Sequence, residues 1–102
     1  MHLTLLIDGE DKTFTPGHVS AKFLLKMMEY DQEIDYNDMS VENIKKLAGF
    51  VSDVFGKQFT IDEFLEGIKS YELISTFGKV FIFVRTGQEP KKEVDEGNEK
   101  GK

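Results

Sequence analysis

The chain has 102 residues, 39% of them hydrophobic and 31% charged, with a formal net charge of −6. That length suits one domain, and the composition suits a folded core. The acidic balance excludes the basic stripe of a phosphate-binding surface and disfavours anionic membranes, and the lack of cysteine excludes disulfides, thiolate chemistry and cysteine-ligated zinc.

In chain order, residues 3–7 are apolar or β-branched and predict a strand. Asp8-Gly9-Glu10-Asp11 carries turn chemistry. Lys12 to Thr15 resumes as a second strand, so 3–15 reads as a β-hairpin closed by Pro16-Gly17. A lone hairpin is marginal in water, and this one is expected to pack on helices.

Ser20 offers an N-cap, and Phe23, Leu24, Met27 and Met28 follow at helical spacing. An acidic stretch from Glu29 to Asp38 ends that helix. Ser40 caps a second, with Ile44, Leu47, Ala48, Val51, Val54 and Phe55 as its stripe and Gly56 as its stop. Thr60-Ile61-Asp62-Glu63 is a capping box. It opens a third helix with Ile61, Phe64, Leu65 and Ile68 on the buried face and a helix-weakening Gly67 inside.

Tyr71 to Arg85 reads as a fourth helix with Leu73, Ile74, Phe77, Val80, Phe81 and Val84 on one face. Its alternative is a strand over Val80 to Val84, which is β-branched and aromatic. That run is the longest apolar one and is too short to cross a bilayer. Met1 to Asp8 lacks the basic and long apolar regions of a signal peptide, so none is expected. Residues 86–102 hold one hydrophobic residue, Val94, and are expected to form a disordered charged tail. The expected fold class is α+β and mainly helical: a short N-terminal β-hairpin packed on about four α-helices. The expected organisation is one globular domain over 1–85 and the tail over 86–102.

Catalytic and metal sites find little support. The two histidines, His2 and His18, stand in no motif that would make either a general base, and no glycine-rich phosphate loop is present. No cofactor is expected. Asp31, Glu33, Asp35 and Glu42 fall at positions one, three, five and twelve of a calcium-loop template. Tyr36 stands where that loop needs glycine, Glu33 where a shorter Asp or Asn belongs, and Asp38 where an apolar residue is usual. No metal site is assigned. The acidic stretch reads first as a solvated loop.

The fourth helix carries more apolar surface than a one-sided helix needs. Ile82 projects off its stripe, and Phe83 and Tyr71 lie at the edges. Tyr71, Ile82 and Phe83 are therefore the candidate residues for partner docking or self-association.

The order of elements (hairpin, helix, acidic loop, helix, capping box, helix, charged tail) resembles the tail assembly chaperones of siphophages and prophages of Gram-positive bacteria. The resemblance spans roughly 1–85. It is carried by Thr13-Phe14-Thr15-Pro16, Val19-Ser20-Ala21, Glu33-Ile34-Asp35, Phe50-Val51, the stretch Val54-Phe55-Gly56-Lys57-Gln58-Phe59-Thr60-Ile61-Asp62-Glu63-Phe64, and Gly67. It implies a non-catalytic protein that binds the tape-measure protein and the major tail protein of the tube during tail morphogenesis. It implies self-association into a homo-oligomer, work in the host bacterial cytoplasm and absence from the mature virion. Nucleic-acid and membrane partners are not expected. Two alternatives are a calcium-responsive helical module and a small acidic regulator of a host protein.

Overall fold

The structure, a computed structural model, describes residues 1–88. Alternation sets the hairpin: in Leu3–Ile7 (β1), Leu3 and Leu5 are buried while Thr4 and Leu6 face out. The strand pairs antiparallel with Glu10–Phe14 (β2), Ile7 opposite Glu10 and Leu3 opposite Phe14. The turn is Asp8-Gly9 alone, shorter than the four residues expected. Their φ values of 54° and 81° are the left-handed pair that a two-residue hairpin loop requires. Glu10 and Asp11 thus belong to the strand.

Four helices follow: Ala21–Glu33 (α1), Val41–Val54 (α2), Ile61–Gly67 (α3) and Leu73–Thr86 (α4), the last preceded by a 3₁₀ turn at Ser70–Glu72. Val80 to Val84 is helix, not strand. Gly87, at φ 76°, ends α4, and its N–H donates to the Phe83 carbonyl. Of the tail expected over 86–102, Thr86 instead belongs to α4, and the part from 89 onward lies outside the described residues.

The centre of the fold is α2. Leu47, Ala48, Val51 and Phe55 are completely covered, and Phe50 and Val54 nearly so. Burial runs around most of the helix, because α3 packs on one side, α4 on another, and α1 reaches it through Phe23 and Tyr30. Two aromatic chains thread this core. Phe14, Phe59, Phe64 and Phe77 meet at centroid distances of 5.0 to 6.1 Å and tie hairpin to α3 to α4. Phe50 gathers Phe23, Tyr30 and Phe81 within 6.1 Å and ties α1, α2 and α4. Each such pair adds about 0.5–1.5 kcal/mol beyond area burial.

The stretch Val54 to Phe64 is the knot of the structure. The Gly56 N–H donates to the Asp53 carbonyl and the Lys57 N–H to the Ser52 carbonyl at 2.8 Å, which closes α2 with a Schellman motif. Gly56 and Lys57 are both left-handed, at φ 70° and 60°. The buried Ser52 hydroxyl then donates to the Phe59 carbonyl at 2.6 Å. The Gln58 amide donates to the carbonyls of Thr15 and Phe55 at 2.7 and 2.8 Å, pinning the exit of the hairpin to the end of α2. Thr60 and Glu63 form the expected capping box at 3.0 and 2.9 Å.

Candidate functional site

Helices α1 and α4 pack together, and the connection after α1 lies beside them. Among these segments lies an open groove of about 340 Å³. Met27 of α1, Met39 of the connection, and Ile74, Phe77, Gly78 and Phe81 of α4 supply its apolar lining; Asp31, Tyr36 and Arg85 stand at its rim. Residues 74, 78, 81 and 85 recur at intervals of three and four, so the whole α4 wall is one helix face. Ile74, expected in the core, is 56% exposed on this wall. The reason is rotational: α4 seats Phe77 and Val80 inward, with Leu73 and Val84 half-buried, and that direction carries Ile74 past the edge of the core.

Tyr36, at the rim, reaches across to α4. Its ring meets Phe81 edge-on at 5.9 Å and 73°, and its hydroxyl donates to the Asp31 carboxylate at 3.0 Å. Burial, and then the Asp31 acceptor, push the Tyr36 hydroxyl pKa well up. The hydroxyl is thereby held in its neutral, hydrogen-bonded form. On α1, Lys26 bridges to Glu29 at 3.4 Å, and this hydrogen bond raises the Lys26 pKa.

Gly78 stands on the α4 wall. A β-carbon there would meet nothing within 4 Å, and its φ is not left-handed. Neither crowding nor backbone conformation demands glycine at this position. Mid-helix glycine costs about 1 kcal/mol relative to alanine. Gly67, by contrast, is demanded: a β-carbon there would stand 2.8 Å from the Leu6 carbonyl oxygen and 2.9 Å from the Leu5 β-carbon.

More apolar side chains lie exposed on α1, Leu25 at 60% and Met28 at 51%. Met28 was expected on the inner face. It stands one turn from Asp31, on the flank that leads to the groove. Ile61, also expected inside, is 39% exposed and leans on Gly49 of α2.

The three residues singled out from the sequence do not converge. Tyr71 is 79% exposed in the 3₁₀ turn. Ile82 is exposed on α4, and Phe83 is half-buried beside it. As neighbours on a helix, Ile82 and Phe83 point about 100° apart. None of the three lines the groove. The calcium template is not realised either. Asp31 and Glu33 sit in the last turn of α1, Glu42 in the first turn of α2, and Asp35 accepts the Asn37 N–H at 2.9 Å. Tyr36 is not left-handed, so the sharp turn of such a loop is not made. Among the described residues no three His, Cys, Asp or Glu side chains stand close enough to hold a metal.

An open, methionine-rich groove between helices suits a protein that binds other proteins. A family model described as phage tail chaperone protein matches residues 1–102, and the chain belongs to that family. It is thus a phage tail chaperone, a protein with an assembly role and with protein partners in the phage tail. No curated protein and no solved structure matches the chain. Among the described residues no helix is long and apolar enough to cross a membrane.

Proposed function

We propose that this chaperone binds the tape-measure protein and the major tail protein during tail morphogenesis, without catalysis, in the host bacterial cytoplasm. It then leaves before the virion is mature. The observation that carries this reading is the apolar surface left uncovered along α1 and α4: Leu25, Met28 and Ile74 are all exposed on a chain of net charge −6. Apolar side chains give weak contact, and the acidic exterior keeps the complex soluble. Many such contacts along one long client give avidity without a deep pocket.

Self-association belongs to the same proposal. Tyr71, Ile82 and Phe83 lie away from the groove and serve contacts between copies, so client and neighbour use different faces of α4. The folded part acts as one globular unit that runs to the end of α4, with the charged segment after it as a tail.

Co-expression with the tape-measure protein and the major tail protein tests the reading. Each client should stay in the soluble fraction and co-purify with the chaperone. Sedimentation across concentrations should show oligomers that Ile82→Glu and Phe83→Glu dissociate. Clients that remain insoluble, or a strict monomer, would contradict the corresponding half.

A further inference from the structure

We infer that the groove over Gly78 is the docking site for an amphipathic helix of a partner protein, one whose apolar stripe is flanked by lysines or arginines. The inference rests on the proposed binding role and adds the place and the chemistry of the occupant.

Three observations converge. The first is Gly78: a glycine that costs helix stability, with open space above it, on the α4 wall of an apolar groove. Its presence is explained if another backbone comes close there. The second is the shape of the lining. Two helices form the long walls, so the free slot accepts a third helix with anchors at i, i+4 and i+7. Met27 and Met39 can repack around different anchors. The third is charge. Between Lys26 and Lys45 the chain carries Glu29, Asp31, Glu33, Asp35, Asp38 and Glu42 and no base. Asp31 stands at the groove rim, Glu29 and Glu33 share its helix, and Asp35 and Asp38 lie in the connection that carries Tyr36 and Met39; Glu42 belongs to α2, outside the groove. Arg85, on the α4 side, is the one basic rim residue, so the acidic wall sets the orientation of the guest.

The other occupants fit less well. A second copy would bring another chain of net charge −6 against an acidic wall. The chain's own residues 89–102 contain one large apolar residue, Val94, and so cannot supply a stripe of anchors.

The test uses the full chain and a pair of synthetic helical peptides. Both carry leucines at i, i+4, i+7 and i+11; lysines flank the stripe in one and glutamates in the other. Fluorescence anisotropy should show the lysine peptide binding at least about tenfold tighter, with the difference shrinking as salt rises. Amide shifts should centre on Ile74, Gly78, Phe81 and Met39. Gly78→Leu fills the open space at the α4 wall and raises helix propensity, so it should weaken binding about tenfold without lowering the melting temperature. Equal binding of both peptides overturns the charge assignment. Binding unchanged by Gly78→Leu overturns the site. Self-association lost on Gly78→Leu would assign the groove to a second copy, and contacts between Val94 and Phe81 in the free chain would assign it to the chain's own tail. Client capture that survives Gly78→Leu overturns the groove alone; failure of the unaltered chain to capture any client overturns the binding role with it.

Discussion

Gly67→Ala is the substitution with the most to say about how this fold is held. Alanine there adds one β-carbon between the end of α3 and the middle of β1. It would stand 2.8 Å from the Leu6 carbonyl oxygen, 2.9 Å from the Leu5 β-carbon and 3.0 Å from the Leu6 nitrogen. None of these is the free end of a flexible side chain. Leu5 is completely buried, and both residues are paired to β2 opposite Lys12 and Asp11. The strand and the helix must therefore separate. Overpacking of this kind costs about 1–3 kcal/mol. The gain in helix propensity offsets at most about 1 kcal/mol, and less at the last residue of a helix. The net expectation is a loss of about 1–2 kcal/mol. In a domain near 100 residues each kcal/mol lowers the melting temperature by about 4–8 °C. Thermal and urea unfolding followed by circular dichroism measure it, with the slope against urea unchanged if the folded state stays compact. Gly78→Ala is the matched control: the same substitution, also in a helix, with nothing within 4 Å. It should stabilise by up to about 1 kcal/mol. A Gly67→Ala protein as stable as the original, or Gly78→Ala losing stability, would refute the reasoning.

Ser52→Ala removes the donor to the buried Phe59 carbonyl and should cost about 1–3 kcal/mol in urea unfolding, whereas Ser75→Ala, at an exposed hydroxyl, should be near neutral. Thr60→Ala breaks the capping box and should cost about 1 kcal/mol by the same measurement. Tyr36 should be the last tyrosine to ionise in an ultraviolet pH titration, because burial and Asp31 favour its neutral form. A raised folded pKa means that its stabilisation is full below the ordinary tyrosine value of about 10 and is lost as pH climbs beyond it. Tyr36→Phe should therefore flatten the fall in stability at high pH.

Much of this architecture was legible because local chemistry and burial agree. Asp8-Gly9 marks a hairpin, Thr60 to Glu63 marks a helix start, and α2 shows its stripe. What local chemistry could not give was tertiary. Gly67 reads in sequence as a weak spot in a helix; in the structure it is the point where α3 touches β1. Ser52 carries no local signal in the sequence and is buried with its hydroxyl on a carbonyl seven residues away. The matching stretch Val54 to Phe64 turns out to hold the fold together, with Val54, Phe55, Phe59 and Phe64 all buried. The groove was not legible at all. Its residues come from three segments, and whether Ile74 faces inward depends on a rotation of α4 that periodicity does not set. The signal that could have found it was Gly78, a glycine inside an otherwise strong helical pattern with no turn to explain it.

The most direct test of the account is co-expression of the full chain with the tape-measure protein, followed by pull-down and sedimentation. The account predicts a soluble, salt-sensitive complex with several chaperone copies on each client, weakened by Gly78→Leu. A client that precipitates equally with and without the chaperone would contradict it.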